Sequence, residues 1–214
     1  MPKALIVYGG WEGHAPAQFN TWFRQRLERN GFEVQSLDRI EDITPESVQV
    51  DLIVPHWTMG KLTPQASQLI REAVLNGTGL AGIHGGMGDA FREDTEFQFM
   101  TGGQFVCHPG NIRPYSVQIK DHDHPISQGL QDFQVQTEQY YMHVDPANHV
   151  LATTTFDDQH APWIAGTVMP IAWTRQHGKG RVFYHSLGHA LSDMQVPEVE
   201  ALTLRGFLWA ARKE

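Results

Sequence analysis

Apolar and polar positions recur along this chain with two different periods, and the switches between them mark its elements. Residues 3–8, KALIVY, are a short apolar run ending in Gly9-Gly10, as a strand buried on both faces should be. Between Ala15 and Asn30, Phe19, Trp22, Phe23 and Leu27 fall at helical spacing, and Gly31 stands where a C-terminal cap belongs. EVQSLD (33–38) and VDLIV (50–54) predict the second and third strands. Thr63-Pro64 reads as an N-cap followed by proline at the first helical position. The helix after it turns Leu69, Ile70, Ala73 and Val74 inward and stops at Asn76-Gly77. TGLAGI (78–83) is the fourth strand.

The second half is less regular. YSVQIK (115–120), HVLATTTF (149–156), MPIAWTR (169–175) and GRVFYHSL (180–187) read as strands, with turn-rich links such as DHDHPISQGL (121–130) between them. A helix from about Pro197 to Lys213 closes the chain. Alternating strands and helices predict right-handed crossovers and an α/β fold, its mostly parallel central sheet covered by helices on both faces. With no linker or repeat, residues 1–214 are expected to form one domain whose sheet the second half extends.

Composition narrows the function. A hydrophobic fraction of 41% can fill a sizeable core. The net charge of −8, with no run of Lys or Arg, argues against a nucleic-acid partner. A single cysteine, Cys107, rules out an internal disulfide and fits a reducing compartment. No apolar run reaches membrane-spanning length and the N-terminus enters a strand at once, so a cytoplasmic protein without a membrane partner is expected. An exposed sheet edge leaves a homo-oligomer open. The twelve histidines and six tryptophans direct attention to small ligands, since these side chains stack, hydrogen-bond and exchange protons.

Ligands of open parallel sheets bind at the carboxyl ends of the strands. His14 follows the first strand, His56-Trp57 the third, His84 the fourth and His189 the last. His84 sits within Gly82-Ile83-His84-Gly85-Gly86, the spacing of a strand-to-helix elbow that holds a reactive side chain above the sheet edge. An imidazole there speaks for proton transfer or metal ligation, and against the acyl chemistry of a cysteine nucleophile. The stretch from Glu138 to Pro146 places Glu138, Tyr140 and Met142 on one face of an extended segment and Gln139, Tyr141 and His143 on the other. A carboxylate among aromatic rings suits a sugar, whose hydroxyls bond to oxygen and whose C–H face stacks. His185 and His189 bracket Gly188 at a strand end, and His108-Pro109-Gly110 reads either as a loop folding over the site or as a capped turn.

The catalytic candidates are therefore His84, Glu138 and His189. His14, Trp57, His108, Tyr141, His143 and His185 are expected to line the substrate pocket. A zinc-type divalent metal on the histidines and Glu138 stays open, without the support of a tight ligand spacing. His122 and His124 read as a solvated turn.

The runs LAGIHGG, HPISQGL, EQYYMHVDP with VLATT, and AWTRQHGKGRVFYHSLGH occur here in order, and together they resemble the ThuA-like family, named for trehalose utilisation. The resemblance spans nearly the whole chain. It implies a flavodoxin-like three-layer sandwich of the class I glutamine amidotransferase-like kind, with His84 where amidotransferases keep a cysteine, so glutamine hydrolysis is not implied. It also implies bacterial carbohydrate catabolism, directed at disaccharides or their 3-keto derivatives. The leading expectation is an enzyme performing His/Glu acid–base chemistry on such a sugar, by isomerisation, elimination or hydrolysis. A non-catalytic sugar-binding protein and a metal-dependent sugar hydrolase or isomerase are the alternatives.

Overall fold

The computed structural model describes residues 1–211. In chain order it contains β1 (Lys3–Gly10), α1 (Pro16–Arg29), β2 (Glu33–Leu37), β3 (Leu52–Thr58), α2 (Pro64–Leu75), β4 (Gly79–Ile83), α3 (His84–Gly88) and α4 (Thr95–Thr101). These are followed by β5 (Gly103–Cys107), β6 (Ile112–Ile119), β7 (Phe133–Glu138), β8 (Tyr141–Val144), β9 (His149–Thr155), β10 (Val168–His177), β11 (Gly180–His185) and α5 (Pro197–Ala210). Nine strands form one sheet in the order β2-β1-β3-β4-β11-β10-β9-β6-β7. The strands from β2 to β11 are parallel, and the pairs from β11 outward to β7 are antiparallel. The α/β architecture expected from the alternation is thus present, with the irregular second half forming the antiparallel extension.

Strand alternation sorts the core into two layers. On one face Ala4 and Ile6 of β1, Leu52 and Val54 of β3, Ala81 and Ile83 of β4, and Phe183 of β11 pack under α1 and α5. On the other, Leu5 and Val7, Ile53, Leu80, and Val182 with Tyr184 meet α2 and α4. Helices seal both faces because these strands are apolar at consecutive positions, leaving neither face fit for water.

Several boundaries differ from the sequence reading. The third strand does not stop at Val54; it runs on through Pro55, His56 and Trp57, because β1 supplies parallel partners as far as Thr58. Pro55 lies beyond Ile53, where the ladder to β4 ends. The sequence reading also missed α4, β5, β7 and β8. The short α4 is capped by Asp94, whose carboxylate accepts from the Phe97 amide at 2.9 Å, and β5 and β8 make a separate two-stranded ribbon. The last helix ends at Ala210, and the expected continuation at 212–213 lies outside the described residues.

Helix α5 seats on the sheet through Gly206. A Cβ at that position would stand 2.0 Å from Cε1 of Phe183, a fully buried ring. Gly206→Ala is therefore expected to destabilise by about 1–3 kcal/mol, since overpacking outweighs the ~1 kcal/mol that alanine gains in helix propensity. A urea titration reads this as a lower midpoint at unchanged slope.

Candidate active site at the strand ends

The side chains of interest gather where β1, β3, β4 and β11 end. His14 closes a short 3₁₀ turn after β1, Thr58 ends β3, His84 opens α3 directly after β4, and His189 lies in the loop after β11. Glu138 ends β7, and the short link to β8 carries Tyr140 onto the same spot.

The elbow has the mechanics that its glycines suggest. His84 is held at φ +46°, a left-handed backbone that a residue with a Cβ rarely adopts. Such strain costs on the order of 1–3 kcal/mol and persists where the surroundings enforce it. Enforcement comes from close packing. A Cβ on Gly82 would lie 2.6 Å from Cβ of Met87, and one on Gly86 would lie 2.3 Å from the His56 ring. The turn can therefore fold back against β3 only with glycine at both places. Helix α3 itself has five residues, too few to form the anion-attracting helix terminus that an elbow often provides.

Hydrogen bonding assigns the His84 protons. Its Nδ1 is 2.7 Å from the carbonyl oxygen of Ser186, which can only accept, so Nδ1 carries a hydrogen and donates it. In the neutral ring Nε2 then bears the lone pair, and the Tyr140 hydroxyl donates to it at 2.8 Å. In the charged ring Nε2–H donates to Glu138 Oε2 at 3.1 Å. Both protonation states have a partner in place. The Tyr140 ring also stacks on His84 with centroids 4.1 Å apart.

Two more histidines surround the carboxylate. His189 Nδ1 lies 3.2 Å from Glu138 Oε2, close but not aligned as a hydrogen bond, and His108 Nε2 lies 3.6 Å from Oε1. His14 packs edge-on against His84 and His189, with centroids 4.7 and 5.2 Å away, while its Nδ1 is 2.7 Å from the Thr58 hydroxyl. The electrostatics follow from crowding. Burial alone would raise the Glu138 carboxyl, but the contacts and charges of His189 and His84 outweigh it and hold the group well below the usual carboxylate range. Glu138 in turn raises His189 against the effect of burial. His14, buried and facing two other imidazoles, is lowered to about 2 and stays neutral. Burial also pushes the Tyr140 hydroxyl well above its ordinary value, so it remains a donor.

Glu138, Tyr140, His14 and His108 line a cavity of about 160 Å³, with Trp11 and Phe105 at its mouth. That is below the ~300–1,000 Å³ of sites that engulf a drug-sized ligand, so it admits one ring or the end of a larger molecule. His84 stands behind the wall that Glu138 and Tyr140 form, and is 1% exposed. At the rim Asp89 takes both of its oxygens to Arg92, at 2.6 and 2.8 Å. A larger cleft of about 640 Å³ is lined by Lys61, Arg71, Glu93, Asp94 and Glu96, but the Lys61–Glu93 pair there is exposed to solvent, and the buried histidines and Glu138 gather at the smaller cavity.

The structure thus brings His14, His84, His108, Glu138 and His189 together and places the other candidates elsewhere. His185 has the parity of Phe183 and faces α5, where its Nε2 meets the Thr203 hydroxyl at 2.7 Å in the fully buried core. That packing overturns its assignment as a pocket residue. Tyr141 and His143 lie across the strand from Tyr140 and Met142. Tyr141 packs on Phe156, and His143 is exposed opposite Gln104. Trp57 covers Gly9 and Gly60, and the tryptophan at the cavity is Trp11. Tyr140, Trp11, Thr58 and the Asp89–Arg92 pair were not anticipated. Tyr140 had a signal in its shared parity with Glu138, and Trp11 and Thr58 in their places just after strands. His124 accepts from the Ile126 amide within its turn, as a solvated turn residue would.

Comparison with known proteins agrees with this architecture. A ThuA-like protein from Parabacteroides merdae superposes with a TM-score of 0.82 at 22% identity, over 98% of this chain and 89% of that one. A second, from Bacteroides uniformis, gives 0.80 at 21% over 97% and 90%. A cytoplasmic protein of Salmonella typhimurium LT2 gives 0.71 at 15%, over 99% of this chain and all of the other. At these identities the likeness shows a shared fold. No curated protein matches the sequence significantly. Among the described residues no helix is long and apolar enough to cross a membrane. The sequence matches the family model of ThuA, described as trehalose utilisation, over residues 3–210, and the chain belongs to that family.

Proposed function

We propose that this protein is an enzyme of carbohydrate catabolism that moves a proton at a bound disaccharide or keto-sugar, using Glu138, Tyr140 and His84 as one hydrogen-bonded relay. The observation that carries this proposal is the double engagement of His84 Nε2, 2.8 Å from the Tyr140 hydroxyl and 3.1 Å from Glu138 Oε2. A proton placed on Nε2 frees the Tyr140 hydroxyl to donate into the cavity; its removal returns that hydroxyl to the ring. Neither change requires the backbone to move, which matters at an elbow this tightly packed.

Membership of the ThuA family supports the carbohydrate class. A keto-sugar suits the relay because a ketone acidifies its neighbouring C–H bond. The C–H proton passes to the Glu138 carboxylate, the electron pair moves onto the carbonyl oxygen, which takes the Tyr140 proton, and Tyr140 recovers a proton from His84 Nε2–H. Reprotonation at the other carbon gives an isomer, and expulsion of the aglycone gives elimination. Trp11, half-exposed at the mouth, offers a face for the ring. Glu138 and Tyr140 are the catalytic residues, and His84 acts through them.

Solvent exchange tests this directly. Incubated with 3-keto-trehalose in D₂O, the protein is expected to introduce deuterium beside the carbonyl, observed by NMR, and Glu138→Gln to slow that exchange by about 10²-fold or more. Failure of the wild-type protein to exchange or convert either the keto-sugar or trehalose would sink the proposal.

A further inference from the structure

We infer that His14, His84, His189 and Glu138 together form a binding site for one divalent transition-metal ion of the zinc class. One nitrogen from each histidine and one carboxylate oxygen lie within 4.8 Å of one another, and three of the four residues are buried. Four donors about 2.1 Å from a shared ion would stand about 3.4 Å apart in a tetrahedron, or about 3.0 Å for adjacent octahedral positions. Glu138 Oε2 lies 3.1 Å from His84 Nε2 and 3.2 Å from His189 Nδ1, already within that spacing, and side-chain adjustment that draws in the wider pairs, at most 4.8 Å apart, closes the set.

Two features separate this cluster from a chance gathering. The first is the way the rings are held from behind. His84 donates its Nδ1 hydrogen to the Ser186 carbonyl, and His14 keeps its Nδ1 on the Thr58 hydroxyl, so both turn Nε2 toward the centre. Metal-binding imidazoles are fixed in this manner, with the far nitrogen on an oxygen that sets tautomer and orientation. The second is that His189 Nδ1 is inaccessible to solvent and has no aligned hydrogen-bond partner, although it points at the carboxylate. A cation between them satisfies it. Three imidazoles with one carboxylate suit zinc, cobalt, nickel or iron(II) rather than magnesium or calcium, which prefer oxygen. Such an ion takes up the His84 lone pair and so releases the Tyr140 hydroxyl toward the substrate, as a proton on that nitrogen would. Binding of the metal does not depend on the sugar proposed above.

The test uses untagged protein stripped with a chelator and titrated with Co²⁺ or Zn²⁺ by calorimetry, with Co²⁺ absorption as a second signal. One equivalent is expected to bind, raising the thermal midpoint of the wild-type protein. His189→Gln and Glu138→Gln are expected to weaken binding at least about tenfold. His149→Gln, remote and exposed, is expected to leave it unchanged. Absence of stoichiometric binding to the wild-type protein overturns the inference. So does unchanged affinity in both site variants, once circular dichroism shows them folded. Metal binding without any sugar turnover would support this site and count only against the enzymatic proposal.

Discussion

Replacing His84 with alanine is expected to lower turnover of the keto-sugar by about 10²–10⁴-fold while leaving the protein folded. The size follows from what the ring connects. Without it the Tyr140 hydroxyl loses the acceptor that the neutral ring supplies and Glu138 the donor that the charged ring supplies, so the two cavity-facing groups no longer exchange a proton. A purely structural role makes a different prediction, and asparagine separates the two. Asparagine tolerates the left-handed backbone of φ +46° better than most residues, and its amide can still donate to the Ser186 carbonyl. His84→Asn should keep stability near that of the wild-type protein and still lose activity to the extent that alanine does. Activity retained in His84→Asn would assign His84 to scaffolding and sink its part in the proton relay.

The second large effect is acid lability. His56 and His185 are at most 1% exposed, and burial pushes them from 6.5 to about 4 and about 3. His56 lies among Phe19 and Phe23 with neither ring nitrogen well hydrogen-bonded, and His185 is spent on Thr203 and the Leu187 amide. Below 6.5 the unfolded chain takes up protons that these folded rings refuse, so stability is full above that pH and falls as pH drops. At pH 5 each ring costs about 2 kcal/mol, about 4 together, a large part of the ~5–15 kcal/mol of a typical domain. The lowered Glu138 carboxyl adds to the loss in still stronger acid, as the pH approaches its folded value. His189, raised by its carboxylate, works the other way, contributing below 6.5 and losing that contribution as pH rises through its folded value. Urea midpoints at pH 7 and pH 5 would measure the sum. His14, lowered to about 2, adds a similar cost, and His56→Phe, which fits its aromatic neighbours, should recover about 2 kcal/mol of the total. Equal stability at the two pH values would refute the account.

The neutral histidines of the core and those of the site look alike in a sequence. His84 was legible because elbow spacing is a local demand: Gly82 and Gly86 are required by contacts that the turn makes with its immediate surroundings. His14 and His189 were legible because they follow strands, and strand ends share one edge of a parallel sheet. His185 and Trp57 met similar criteria and were misplaced. Their positions depend on strand parity and on how far β3 extends, and β1 decides the second of these. Within 138–144 the two-residue period divided the side chains correctly. Glu138 and Tyr140 share the face that meets the elbow, and Tyr141 and His143, on the opposite face, point away from it.

The sequence by itself determined the α/β alternation, the elbow at His84 and the family. Each of these rests on residues near one another in the chain, or on motifs in a set order. Only the tertiary structure decided which histidines share a carboxylate. Glu138 is 54 residues from His84 and reaches it after the chain has built the antiparallel edge of the sheet. Its contact is set by packing of β7 and the β5–β8 ribbon against the elbow, and no local pattern records a distance of 3.1 Å across that separation.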